Sequence, residues 1–167
     1  EPTLVNLDGV TDIVACGLKT GFLTNKEDVY YSGYSRPANT TIPQKILSNV
    51  KSIIGNVNSR DFTYLEQDNI LRSINIGYNE TSLSLVRNYD YIETGASDIT
   101  DFIGIKDGKV YTGKEQTLVD GISNAVGASA YNGTQYIYTA DGMLFALGKN
   151  NINYNDTVGI SQETTLT

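Results

Sequence analysis

Four acidic residues crowd one stretch of the chain: Asp90, Glu93, Asp98 and Asp101. Two carboxylates held at a fixed separation can share acid and base roles and hydrolyse a glycosidic or related bond. Nothing in this spacing fixes a separation, so the ordinary reading is a solvated acidic face. A carboxylate-dependent hydrolase using a pair near Asp98 and Asp101 stands as the alternative from the enzyme class. The chain has no histidine, which removes the commonest general base, every Ser-His or Cys-His pair and every His-containing metal site. The single cysteine, Cys16, closes an apolar run with no imidazole to activate it, and it reads as a core residue. The aspartates at 28, 68, 107 and 141 sit one per turn, whereas calcium needs several oxygens converging within one loop. No catalytic residue, metal or cofactor is assigned, and the chain is read as a non-enzyme.

Contact chemistry is better represented. Twelve tyrosines accompany abundant Asn, Ser, Thr and Gly, a mixture that supplies rigid amphipathic contact area beside adaptable hydrogen bonding. Tyr34, Tyr78, Tyr131 and Tyr154 fall in predicted loops and form the candidate contact surface. Four Asn-x-Thr triplets, headed by Asn39, Asn79, Asn132 and Asn155, also fall in predicted loops, as a glycosylated surface requires. The chain is rich enough in Asn and Thr to produce them by accident.

Length and charge bound the scaffold. The 167 residues suit one repeat-built domain, with 40% hydrophobic and 19% charged residues. No run approaches the roughly 20 apolar residues of a membrane-spanning helix, so no membrane insertion is expected. The net charge of −7 and 12 scattered basic residues oppose a nucleic-acid partner, which demands clustered Lys and Arg. One cysteine excludes an intrachain disulfide. The chain opens at Glu1 without an initiator Met or signal-peptide pattern, as a processed chain or a segment of a longer one would.

The elements that position these residues repeat. A unit of apolar strand, glycine, second strand, turn and third strand recurs four times, at about 4–35, 44–79, 83–115 and 118–150. The first-strand glycines are Gly17, Gly55, Gly95 and Gly127, and the turn aspartates Asp28, Asp68, Asp107 and Asp141 follow at similar offsets. Asp68-Asn69, Asp107-Gly108 and Asp141-Gly142 suit the positive φ angles of two-residue type I′ hairpins. Asp28-Val29 departs from that rule and predicts a longer loop through Asn25 to Asp28. The stretches 34–44, 78–83 and 149–155 read as polar connections. Residues 151–167 read as a closing strand or the start of a fifth repeat. No helix is predicted.

The unit resembles the regulator-of-chromosome-condensation type of β-propeller repeat. Ala15-Cys16-Gly17, Leu23-Thr24 and Val29-Tyr30-Tyr31-Ser32-Gly33 carry the likeness, with Lys106 to Tyr111 and Asp141 to Gly148 matching its second half. It departs from the family in lacking a His after Cys-Gly and a Trp before the terminal Gly, and in having short repeats. The resemblance implies an all-β, β-propeller-like array of four short antiparallel repeats, either a closed small propeller or an arc of a larger one. The family's nucleotide exchange on a small GTPase is not carried over, because no residue maps onto an exchange site. The expected function is a non-catalytic interaction or structural module that binds a protein or glycan through its inter-repeat loops. The composition favours a virion or cell-surface component, such as a phage attachment protein, and an oligomer or larger assembly. A regulatory propeller acting on a GTPase or enzyme, as exchange factor or inhibitor, is the other non-catalytic reading.

Overall fold

The computed structural model describes residues 4–16, 19–35, 38–55, 61–75, 80–94, 99, 101–131 and 134–148. The chain divides into two compact units, Glu1–Leu85 and Val86–Thr167. The first unit holds two four-stranded antiparallel meanders. The first sheet is β1 (Val10–Cys16), β2 (Lys19–Thr24), β3 (Val29–Ser35) and β4 (Ala38–Leu47). The second is β5 (Val50–Ile54), β6 (Asp61–Glu66), β7 (Ile70–Asn75) and β8 (Glu80–Ser84). In the second unit, the third sheet is β9 (Tyr91–Glu93), β10 (Ile103–Lys106), β11 (Lys109–Thr112) and β12 (Thr117–Leu118), and the fourth is β13 (Ala125–Tyr131), β14 (Thr134–Thr139) and β15 (Leu144–Gly148). There is one sheet per repeat and no helix among the described residues.

Period-2 alternation builds each core. Leu23 and Val29 are cross-strand partners and pack with Val50, Ile53 and Tyr64 of the second sheet. In the second unit, Ile103, Ile105 and Val110 of the third sheet pack on Ala128 and Ile137 of the fourth. Burying each large side chain contributes about 1.5–3 kcal/mol.

The turns correct the sequence reading. Only Asp107-Gly108 forms a two-residue loop with both φ angles positive, at 51° and 71°. The other three hairpins use three-residue loops that end in a left-handed residue: Glu27 (φ 61°), Asn69 (φ 63°) and Gly142 (φ 84°). In these loops the Glu27 N–H reaches Thr24 O at 2.9 Å, Asn69 reaches Glu66 at 3.2 Å, and Gly142 reaches Thr139 at 3.0 Å. This is a type I turn followed by a left-handed residue, the next most common hairpin closure after the two-residue loop. The longer loop expected in the first repeat is present, but its special residue is Glu27. The carboxylate of Asp28 instead meets Lys45 Nζ of β4 at 2.7 Å, and this partner lowers its pKa.

Two further expectations change. The stretches 34–44 and 78–83 are largely not connections, because β4 and β8 run through them as outermost strands. Outermost strands tolerate polar residues and, in β4, Pro43, since one row of their backbone groups needs no partner in the sheet. Asn39 therefore lies in a strand, opposite Tyr34. The glycines also fall out of alignment. A register shift early in the first strand occurs at Val10/Asp12, Val50/Ser52 and Ala125/Gly127. Counting from it, Gly127 matches Asp12 and Ser52, whereas Gly55 matches Ala15 and Ala130.

The hairpin tips hold the chain as it leaves each of the first three sheets. Val50 N–H donates to Glu27 O at 3.0 Å, Leu85 N–H to Asn69 O at 2.9 Å, and Ala125 N–H to Gly108 O at 3.0 Å. In each case the loop's last residue receives the chain as it leaves for the next sheet.

Candidate functional site

Two of the four acidic residues are used structurally. Asp90 lies just before β9 and accepts Lys106 Nζ at 2.7 Å and the Asp107 N–H at 2.9 Å. These two bonds hold its pKa below the ordinary carboxylate value, Lys106 making the larger contribution. Glu93 accepts the Thr94 N–H at 3.0 Å and the Tyr91 hydroxyl at 3.4 Å. Burial nevertheless raises its pKa. Asp101 has an interaction partner of its own, and Asp98 lies outside the described residues. No set of three or more His, Cys, Asp or Glu that could hold a metal occurs among the described residues. Asp90 and Glu93 therefore make separate contacts, each bracing a strand or turn.

The tyrosines proposed as contacts are placed only in part. Tyr34 belongs to β3, opposite Asn39, and Tyr131 ends β13, opposite Thr134. The side chains of both, together with Tyr78 and Tyr154 entirely, lie outside the described residues. Cys16 ends β1 opposite Lys19, and its side chain is likewise outside them.

Sequence reasoning missed two clusters. In the first, Gln116 accepts the Tyr89 hydroxyl and the Val86 N–H through Oε1, both at 3.0 Å. Tyr89 stands edge-on to Phe102 and Tyr111, with ring centroids 5.1 and 5.7 Å apart. The Arg87 guanidinium lies 4.2 Å from the Tyr111 ring centroid. Burial raises the Tyr89 pKa, which keeps the phenol a donor. Gly104 is obligatory here, because the Tyr89 and Phe102 rings occupy the space of a Cβ. These residues are spread over some thirty positions, and no short motif announces them.

The second is an exposed face on the fourth sheet. Tyr138 pairs with Leu144 and Tyr136 with Ala146, while Ile137, pointing the other way, is fully buried. Tyr136, Tyr138 and Leu144 are 40%, 51% and 64% exposed. Tyr138 covers Gly127, where a Cβ would collide with its ring. Val126 and Met143 at the margins are also exposed. The signal was present in the alternation Tyr136-Ile137-Tyr138, but alternation alone does not say which face is covered.

No family model matches the chain, and no curated protein matches it. Solved structures do. Human WBSCR16 superposes with a TM-score of 0.62 at 16% identity, over 88% of this chain and 50% of its own. Yeast RCC1 (Prp20), solved bound to Kap60, gives 0.63 at 14% identity, over 88% of this chain and 45% of its own. The β-propeller domain of Cps50 (Swd1) from Myceliophteria thermophila gives 0.52 at 13% identity, over 82% and 50%. The chain thus spans about half the length of these proteins. Four antiparallel sheets in chain order, the repeated hairpin grammar and these superpositions together establish an RCC1-like β-propeller repeat fold.

Proposed function

We propose that this chain is a non-catalytic protein-interaction module whose partner presents a basic surface. The observation that carries this reading is the chain's net charge of −7, with Asp90 and Glu93 taken up in separate structural contacts. Acidic surfaces steer and select basic protein partners. The fold likeness supports the reading: one report on Prp20 from Saccharomyces cerevisiae concerns its binding to Gsp1p and histones. Biolayer interferometry with immobilised chain, against DNA-free core histones and against a Gsp1p-type small GTPase, tests it. Saturable binding that weakens with added salt is expected for at least one probe. Absence of binding to both at tens of micromolar overturns the reading.

A finer version places the module at a virion or cell surface, attaching to protein or glycan. It is motivated by the low-charge composition rich in Tyr, Asn and Thr. A glycan array probed with the labelled chain checks the glycan form, and a blank array removes it. The regulatory version, acting on a small GTPase, is read in the same interferometry by adding a fluorescent-GDP release assay.

A further inference from the structure

The four sheets can be aligned by the last cross-strand pair of large apolar or aromatic residues before each hairpin loop. These pairs are Leu23/Val29, Leu65/Leu71, Ile105/Val110 and Tyr138/Leu144. In the first three sheets both members are buried, none more than 7% exposed. In the first unit that pair packs on Ile53 and Tyr64 of the following sheet, and in the second unit on Ala128 and Ile137 of the following sheet. In the first and third sheets this face is therefore the one that receives the following sheet. In the fourth sheet the same positions, Tyr138 and Leu144, are 51% and 64% exposed.

The first sheet is open in the complementary sense. Ile13 faces Phe22 on β2 as Ile53 faces Tyr64 and Ala128 faces Ile137. Ile53 and Ala128 are buried by the preceding sheet, whereas Ile13 is 59% exposed. The fourth sheet thus presents a face built to receive a sheet, and the first sheet a face built to be received.

We propose that the outer face of the fourth sheet, centred on Tyr138 and Leu144, docks the Ile13-bearing face of the first sheet of a second copy of this chain. The contact repeats between copies the packing that each unit already uses internally, so it needs no new kind of complementarity. It is heterologous, joining two different surfaces. This inference goes beyond the identity of any binding partner and does not depend on it.

Sedimentation equilibrium of the 167-residue chain tests the docking, with Ile13→Asp and Tyr138→Asp variants alongside. Both positions are exposed, so circular dichroism and thermal unfolding at submicromolar concentration are expected to match the parent. The parent is expected to associate at tens of micromolar, and each variant to weaken association at least tenfold. Mixing the two variants is the decisive step. The Ile13→Asp chain keeps an intact fourth-sheet face and the Tyr138→Asp chain an intact first-sheet face, so a 1:1 complex is expected to return. Failure of the mixture to associate overturns the proposed pairing of faces. A parent that stays at 18.2 kDa overturns it too, and points to further repeats on the same polypeptide as the cover.

Discussion

Lys106 Nζ sits 2.7 Å from Asp90 Oδ1, tying the residue that leads into β9 to the last residue of β10. The other oxygen of Asp90 accepts the N–H of Asp107, so one carboxylate fastens the mouth of the two-residue hairpin. Both bonds favour the ionised acid and lower its pKa. A carboxylate with a lowered folded-state value contributes stability that is complete above its unfolded value and is lost as pH falls through the folded one. Asp90→Asn is therefore expected to lower the melting temperature at pH 7. The gap from the parent should close as pH is taken below 3.8. A gap independent of pH would show that the side chain acts by shape and not by charge.

Glu93 has the opposite sign. Burial raises its pKa despite two hydrogen bonds to the carboxylate. A raised folded value means that the acid form is the better accommodated one, and that stability falls as pH rises through it. Glu93→Gln keeps an acceptor for the Thr94 N–H and removes the charge. It is expected to melt higher than the parent at pH 7 and level with it near pH 4, in paired thermal scans. Equal melting at both values would place the carboxylate in full solvent.

Loop residues Glu27 and Gly142 share one position and one backbone shape, with φ angles of 61° and 84°. A left-handed conformation costs an ordinary residue about 1–2 kcal/mol. Glycine avoids this cost but loses about 0.5–1 kcal/mol through extra freedom in the unfolded chain. Glu27→Gly is thus expected to stabilise by about 0.5–1 kcal/mol and Gly142→Ala to destabilise by about as much. No atom lies within 4 Å of a Cβ at Gly142, so the second change reads backbone cost alone. Urea unfolding measures both, and effects of the same sign would refute the shared loop geometry.

The repeat, its β character and its count were legible because hairpin signals are local: an apolar run, an Asp with Gly or Asn, and another apolar run. The Asp107-Gly108 loop was readable to the residue. The loop type elsewhere was not, since Glu27 takes a left-handed shape that its side chain does not advertise. β4 and β8 were hidden because outermost strands need no continuous apolar face, and Asn39-Thr40-Thr41 looks like loop. The glycine alignment failed because the early register shift adds a residue to the first strand. The buried partnership of Tyr89 with Gln116 depends on contacts about thirty residues apart, beyond the reach of any spacing rule. Which face of the fourth sheet is covered is likewise a property of neighbours and not of the strand.

That last point yields a direct comparison of two leucines. Leu71 and Leu144 occupy the same place on the third strand of their sheets, just after the hairpin loop. Leu71 is fully buried, and Leu144 is 64% exposed. Truncating a buried leucine costs the lost burial plus the cavity left behind, typically about 2–5 kcal/mol. Truncating an exposed one away from special features stays within about 0.5 kcal/mol. Leu71→Ala is therefore expected to fall in the first range and Leu144→Ala in the second, by urea unfolding with the chain below one micromolar. Raising the concentration to tens of micromolar should leave the Leu71 cost unchanged. The Leu144 cost should grow, because only there does a second chain complete the packing. A Leu144 cost indifferent to concentration would mean that no copy covers that face.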